Sequence, residues 1–347
     1  MYNSVIIGTG SYLPEIRLTN QCLEKIVNTT HHWIMERTGI KERPIAWPWE
    51  TPVFLATLAA QKALENAKIA ASEIDLIIMA TVKSDHHFPA GACEVQSYIG
   101  AINANGIDVN GGCTGFIHAL DIADSAIKCG KIKTALVIGV EKLSDVTDYT
   151  DRSTCVLFGD GAGAVVLKRS FQIKNLLPKV LKKYFMPIGI LATYQKSDGS
   201  HKDKLWCTNE KDNSHFLKME GNHLFKLAVN LMIEAADKVL SKVKISSKKI
   251  DLLFPHQAND RIIMAVAERL KLEEKVVSII SKIGNISSAT IPIALDQYNR
   301  QGKLKKGGLY LFDAFGAGLT WGAVLIKWQK GPLALKLRRG KGGEKHE

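Results

Sequence analysis

Apolar residues recur along this chain in two rhythms. Three stretches keep helical spacing: Leu55, Ala59 and Ala63; Phe116, Leu120, Ala123 and Ile127; and Phe225, Val229, Met232, Ala236 and Val239. Each marks one face of an amphipathic helix. Thr51-Pro52 supplies an N-cap and a first-turn proline for the first helix, and Gly130 a stop for the second. Between them lie short apolar runs of strand length, among them Thr134-Ala-Leu-Val-Ile-Gly, Ala164–Leu167 and Ile250–Phe254. Strands alternating with helices throughout predict an α/β fold with helices packed on mixed sheets.

The pattern repeats. Residues 69–78, Ile-Ala-Ala-Ser-Glu-Ile-Asp-Leu-Ile-Ile, echo residues 245–254, Ile-Ser-Ser-Lys-Lys-Ile-Asp-Leu-Leu-Phe, and each follows an amphipathic helix. Thr134–Gly139 pairs with Gly308–Phe312, and the run from Phe158 to Lys168 pairs with Phe315 to Lys327. Shared small-residue bias can imitate one such match, but not several in one order. The expected organisation is an N-terminal half over 1–170, a connector or insertion over 171–188, a C-terminal half over 189–328 and a poorly ordered basic tail over 329–347.

Composition narrows the class without settling it. With 347 residues, 46% hydrophobic and 23% charged, the chain resembles an ordinary globular protein with ample core. No apolar run approaches the roughly 18 residues of a membrane span, and the N-terminal segment lacks the basic lead of a secretion signal. Six cysteines at 22, 93, 113, 129, 155 and 207 form no C-x-x-C pair, so a reduced, metal-free, cytoplasmic enzyme is expected. Of the net charge of +12, five units belong to residues 327–347, with seven Lys/Arg against two Glu. The remainder suits an anionic partner, although no basic-aromatic nucleic-acid motif accompanies it.

Three reactive side chains stand at strand-to-helix turns. Cys113 lies in Asp-Val-Asn-Gly-Gly-Cys-Thr-Gly-Phe, after a strand-like run and just before a helix. A helix N-terminus favours a thiolate; a buried structural cysteine is the competing reading. His256 follows the strand Ile250–Phe254 directly, where ligand-binding groups of α/β sheets collect. Asn285, in Ile-Gly-Asn-Ile-Ser-Ser-Ala-Thr, lies 35 residues past Ile250, nearly as Cys113 lies 39 past Ile74. The two are therefore near-symmetric mates. Other motifs fall short: Gly8-Thr9-Gly10 has Leu13 where a dinucleotide fold needs glycine. His31-His32 and His86-His87 lack the partners of a metal site. The order Cys, His, Asn also occurs in papain-like proteases, but no Cys-Trp signature surrounds Cys113.

At these residues the sequence resembles β-ketoacyl-acyl carrier protein synthase III, a condensing-enzyme family. The resemblance spans residues 3–328 and is carried by Trp33–Arg43, Asp151–Gly163, Pro255–Asn259, Gly284-Asn285 and Phe315–Trp321. It implies a duplicated thiolase-like fold, a homodimer, no cofactor, and acyl-CoA and malonyl-acyl carrier protein as substrates. Cys113 then matches the acylated nucleophile, and His256 with Asn285 the pair that serves decarboxylation. The N–H groups of Cys113 and Ala317 match the oxyanion hole. Trp33, Arg37, Arg152 and Asn259 match coenzyme A or pantetheine contacts, and Gln257, Ala258, Asn259, Asp260 and Arg261 the carrier region. Phe88 matches the residue that closes the acyl pocket across the dimer. Four positions depart from the pattern: Gly112 replaces a usual alanine, and Ala317 a glycine whose backbone it imitates only at negative φ. Ile286 replaces a small hydroxyl residue, and Glu268 a frequent base.

The chemistry fits the residue types. Thiolate attack on acyl-CoA loads the cysteine. Loss of CO2 then makes a carbanion without proton abstraction, so that step needs hydrogen-bond donors to an enolate oxygen rather than a carboxylate base. Asparagine at 285 meets this need; aspartate would repel the developing charge. The expected reaction is condensation of a short acyl-CoA, acetyl-CoA first, with malonyl-carrier. The alternatives are a related enzyme of secondary metabolism or of longer donors, and a non-catalytic carrier-binding relative.

Overall fold

The computed structural model describes residues 2–171, 186–208 and 216–329. Strand β1 (Tyr2–Tyr12) is followed by a two-stranded ribbon, β2 (Ile16–Thr19) and β3 (Glu42–Ile45), with helices α1 (Asn20–Leu23) and α2 (His31–Thr38) between them. Helix α3 (Pro52–Ala67) starts at Thr51, whose hydroxyl accepts from the Phe54 N–H at 3.3 Å. Then come β4 (Leu76–Ala80), α4 (Gly91–Ile99), β5 (Asn105–Val109), α5 (Gly115–Lys128), β6 (Thr134–Lys142) and β7 (Asp160–Phe171). The sheet order is β1-β7-β6-β4-β5. Strands β4 and β6 are buried along their whole length, as the apolar runs Leu76–Ala80 and Ala135–Val140 require of strands covered on both faces.

The rear half repeats this path: β8 (Gly189–Ser197), a short ribbon of β9 (Leu205–Trp206) and β10 (Lys218–Met219), α6 (Gly221–Val243) and β11 (Leu252–Pro255). Helices α7 (Asp260–Leu270), α8 (Ile280–Ile283) and α9 (Thr290–Arg300) precede β12 (Leu309–Gly316) and β13 (Thr320–Lys327). Its sheet runs β11-β12-β13-β8. Matching β8 to β1, β11 to β4, β12 to β6 and β13 to β7 gives the same order and the same parallel and antiparallel pairings. The edge strand β5 is matched by no more than a single parallel bridge of Val276 to Leu253 of β11.

Helices form three layers around the two sheets. Leu55, Ala59 and Ala63 of α3 pack on Val5, Ile77 and Ile138 outside the first sheet. Ala228, Met232 and Val239 of α6 cover Leu253, Leu311 and Leu325 outside the second. Between the sheets, Phe116 and Leu120 of α5 and Ile291 and Leu295 of α9 share a core with Ile78, Val137, Phe312 and Val324. This is a duplicated α/β thiolase-like architecture. The glycines of Gly8-Thr9-Gly10 serve contact with α3: a Cβ on Gly10 would stand 2.3 Å from the Ala59 carbonyl oxygen. Most of the predicted connector, residues 172–185, and of the predicted tail, 330–347, lie outside the described residues.

Candidate active site

The two central helices, α5 and α9, each begin beside the site. Beyond β5 the chain reaches Gly112 at φ +53°, makes a 3-10 turn over Gly112–Thr114 and runs into α5. Cys113 sits in that turn. The hydroxyls of Thr114 and Thr320 lie 2.7 Å apart, and Thr320 also donates to the Ala317 carbonyl at 2.9 Å. The loop after β12 is thereby fastened to the cysteine turn. The conformation of that loop decides whether alanine fits at 317. Its left-handed residue is Gly318, at φ +133°, not Ala317, so alanine at 317 meets no backbone penalty.

His256 follows β11 and donates its backbone N–H to the Asp313 carbonyl at 2.7 Å. The residue is 2% exposed, with ring Nδ1 2.8 Å from the Thr290 hydroxyl. Burial pushes the imidazole down to about 3, so it is neutral throughout the physiological range. Asn285 follows Gly284, at φ +62°. Its N–H donates to Leu157 O at 2.8 Å, and its Oδ1 accepts from the Ser287 N–H at 2.8 Å. With the oxygen so committed, the amide nitrogen is what Asn285 offers a ligand. Cys113, His256 and Asn285 line one narrow cavity of 110 Å³, walled by Leu157, Leu224, Ile262 and Phe315.

The electrostatics of the sulfur correct an expectation. A helix start was expected to favour thiolate, yet the thiol is pushed up to about 12, first by dehydration and then by the nearby Glu141 charge; contact with the Ser287 hydroxyl works against both. In the resting site Cys113 is a thiol, and acylation must dispose of its proton.

The remaining predicted residues divide. Trp33 on α2 carries the guanidinium of Arg37 at 5.4 Å and that of Arg152 at 4.7 Å from its ring centre. Asn259 caps α7 by accepting from Arg261 N–H at 2.9 Å, donates to the Arg37 carbonyl at 2.9 Å, and lines the cavity with Ala258. Asp260 accepts from the Ser278 hydroxyl at 3.0 Å. Arg261 is exposed, over the Phe225 ring at 5.3 Å. Gln257 is a correction: its side chain is fully buried, donating to Pro255 O at 2.7 Å and Val277 O at 3.1 Å and accepting from Ile279 N–H at 2.8 Å. A partner protein cannot reach it. Phe88 is 86% exposed. Glu141, Ser287 and Thr290 adjoin the site without having been singled out. Glu141 had one visible signal, an acid ending an otherwise apolar strand run. Among the described residues no cluster of His, Cys, Asp or Glu is placed to hold a metal, and no helix is long and apolar enough to cross a membrane.

A cysteine facing an imidazole and an amide between two like-wound half-folds defines a thiolase-fold condensing enzyme. Residues 107–183 match the family model 3-Oxoacyl-[acyl-carrier-protein (ACP)] synthase III, and residues 240–328 match its C-terminal model. Beta-ketoacyl-[acyl-carrier-protein] synthase III of Aquifex aeolicus is 49% identical over 93% of this chain and 99% of its own length. Its crystal structure superposes with a TM-score of 0.87, covering 94% of this chain and all of that one. The priming β-ketosynthase of the R1128 polyketide pathway superposes equally well at 34% identity, covering 95% of this chain and 97% of its own. The chain belongs to the 3-oxoacyl-[acyl-carrier-protein] synthase III family. It is an acyltransferase of the condensing class, forming a 3-oxoacyl-carrier thioester at the start of fatty acid synthesis, and the identities do not favour a place in secondary metabolism.

Proposed function

We propose that Cys113 is acylated by a short acyl-CoA, preferably acetyl-CoA, and that His256 and Asn285 then promote decarboxylation of a malonyl group delivered by acyl carrier protein. The observation that carries this reading is the convergence of the three side chains on one cavity. The N–H groups of Cys113 and Ala317 cradle the tetrahedral oxyanion; the fastening of their two loops through Thr114 and Thr320 supports that pairing. Neutral His256 is a donor at Nε2 when Thr290 gives its proton to Nδ1. With the Asn285 amide it then meets the thioester oxygen as that oxygen becomes an enolate. Short donors suit a cavity of 110 Å³, well below the roughly 300 Å³ at which pockets for larger ligands begin.

The Trp33–Arg37–Arg152 group suits the adenine and phosphates of coenzyme A, by stacking and by charge-assisted hydrogen bonds. Beside the cavity, a groove between α6 and α7 is flanked by Lys226 and Arg269, with Glu268 among them. Arg261 stands over the groove's Phe225. That surface suits an acidic carrier whose pantetheine arm passes Asn259 and Ala258. Exposed Phe88, just before α4, with Tyr98 on α4 and Ile102 ahead of the edge strand β5, favours a homodimer that covers them. The cytoplasm is the compartment that suits this chemistry, and no cofactor is required beyond the two thioester substrates. Incubation with acetyl-CoA should add one acetyl group to Cys113, seen by intact mass and peptide mapping, and CO2 should follow only on adding malonyl-carrier. Absence of acyl transfer from every acyl-CoA in a panel would overturn the reading.

A further inference from the structure

We infer that Glu141 receives the Cys113 proton through the Ser287 hydroxyl, holds it while the enzyme is acylated, and returns it when the sulfur is released. This deepens the ping-pong reading above and rests on it. Glu141 is a fully buried carboxylate near the end of β6. One oxygen accepts from the Ser287 hydroxyl at 3.1 Å and the Ser288 hydroxyl at 2.8 Å; the other accepts from the Val82 N–H at 3.0 Å and lies 3.4 Å from the Thr81 hydroxyl. Ser287 also touches the Cys113 side chain. The Ser287 hydroxyl thus stands between the Cys113 thiol and the Glu141 carboxylate.

The other groups at the sulfur are poor keepers of a proton. Burial leaves His256 at about 3, and an amide is not a base. Glu141 is different: its partners are all neutral donors, and burial pushes it up to about 7, where it can both take and give a proton near neutrality. The surroundings accommodate either state. Ser288 lies within reach of two acceptors, Glu141 at 2.8 Å and the Ala80 carbonyl at 3.1 Å. It can donate to the carboxylate, or turn its proton to Ala80 and accept from the acid. The other titratable group packed against Glu141 is Cys113. The nearby Lys83–Asp145 and Lys142–Asp145 pairs, at 3.6 and 3.7 Å, are satisfied among themselves.

The chemistry balances. In acylation a sulfur electron pair bonds the acyl carbon while the thiol proton passes to Ser287 and a Ser287 proton passes to Glu141. Coenzyme A leaves as thiolate with the pair of the broken C–S bond and takes a proton from water. In condensation the malonyl C–C bond breaks to CO2, and its electron pair bonds the acyl carbon. The C–Sγ bond breaks with its pair on sulfur, and the proton returns from Glu141 through Ser287. Over the cycle one proton is consumed, the one coenzyme A takes.

Rapid-quench acetylation of Cys113, followed by intact mass from about pH 5.5 to about 9, tests the relay. Wild-type rates should rise through about pH 7 as Glu141 ionises. Glu141→Gln should lose that inflection and acetylate about ten- to a hundredfold more slowly. Ser287→Ala, which keeps the N–H that holds Asn285, should match it, with the double variant no slower than either. A purely electrostatic Glu141 predicts the opposite sign: removing a charge that raises the thiol should make Glu141→Gln acetylate, and react with iodoacetamide, faster than wild type. That result, or an unchanged inflection, overturns the inference. If Glu141→Gln does not fold, Ser287→Ala decides alone, slow acetylation supporting the relay and wild-type rates refuting it. Failure of the wild-type protein to be acetylated at all would instead sink the functional reading.

Discussion

The cysteine turn and the asparagine turn are one design used twice. Each is a glycine at positive φ, Gly112 at +53° and Gly284 at +62°, then the functional residue, with a 3-10 turn opening into a central helix. What differs is what surrounds the side chain. The front sulfur is left as an undissociated thiol by dehydration and a nearby charge. The rear amide has its oxygen tied to Ser287 N–H and its nitrogen free to donate. Similar backbone geometry thus yields a latent nucleophile on one side and a fixed donor on the other, and the division of labour lies in what surrounds each side chain.

That division can be broken one side at a time. Cys113→Ala should abolish acyl transfer, by about a thousandfold or more, while malonyl-carrier still loses CO2 at the rear site; measuring both products separates the halves. If decarboxylation disappears too, the turns are not independent. Asn285→Asp is the mirror experiment. It keeps the oxygen that accepts from Ser287 but places a carboxylate against the forming enolate. CO2 release should drop about 100- to 1,000-fold, with acetylation of Cys113 much less affected. Equal losses in both half-reactions would show that the amide also shapes the front turn.

Much of this contrast was legible in the sequence, for identifiable reasons. The repeated Ile-Asp-Leu strands and the paired Phe-Gly strands are local signals, so the duplicated order of β4, β6 and β7 with β11, β12 and β13 could be read from them. Cys113, His256 and Asn285 were legible because reactive residue types at strand-to-helix turns stand out. Gln257 was misread because its burial depends on Val277 and Ile279, some twenty residues away. The thiol was misread because its state depends first on dehydration and then on the Glu141 charge, and both arise only through the fold. Ser287 and Thr290 lie in a run that looks like ordinary turn, and the acid at 141 shows only as a break in an apolar strand. Their role comes from who faces them, and pattern along the chain does not encode that.

Thr290 sharpens the rear turn next. Its hydroxyl is 2.8 Å from His256 Nδ1 and 3.0 Å from the Ser287 carbonyl, so its one proton chooses between them. Only donation to Nδ1 leaves the hydrogen on Nε2, where the enolate needs it. Thr290→Val removes the choice and should slow condensation about tenfold, while Thr290→Ser restores it and acetylation of Cys113 stays near wild type. Equal slowing by Val and Ser would mean that shape at 290, not the hydroxyl, holds the imidazole.

The smallest expected effect concerns the two departures flanking the oxyanion donors. The resemblance implies alanine at 112 and glycine at 317; this chain has the reverse, and the two positions touch. A Cβ on Gly112 would lie 3.4 Å from both the Cβ and the N of Ala317. One methyl has in effect moved across the contact. Gly112→Ala alone should lower stability by about 1 kcal/mol, since alanine must take φ +53° with a methyl already opposite. Ala317→Gly alone should cost somewhat less, through the freer unfolded chain. Because the residues touch, the double variant should be more stable than the sum of the single losses predicts, by about 0.5 kcal/mol or more. Acetylation should stay close to wild type in all three, since both N–H donors remain. Denaturant melts of the four proteins give the cycle, and strict additivity would show that the exchange of methyls is not what lets Gly112 and Ala317 stand together.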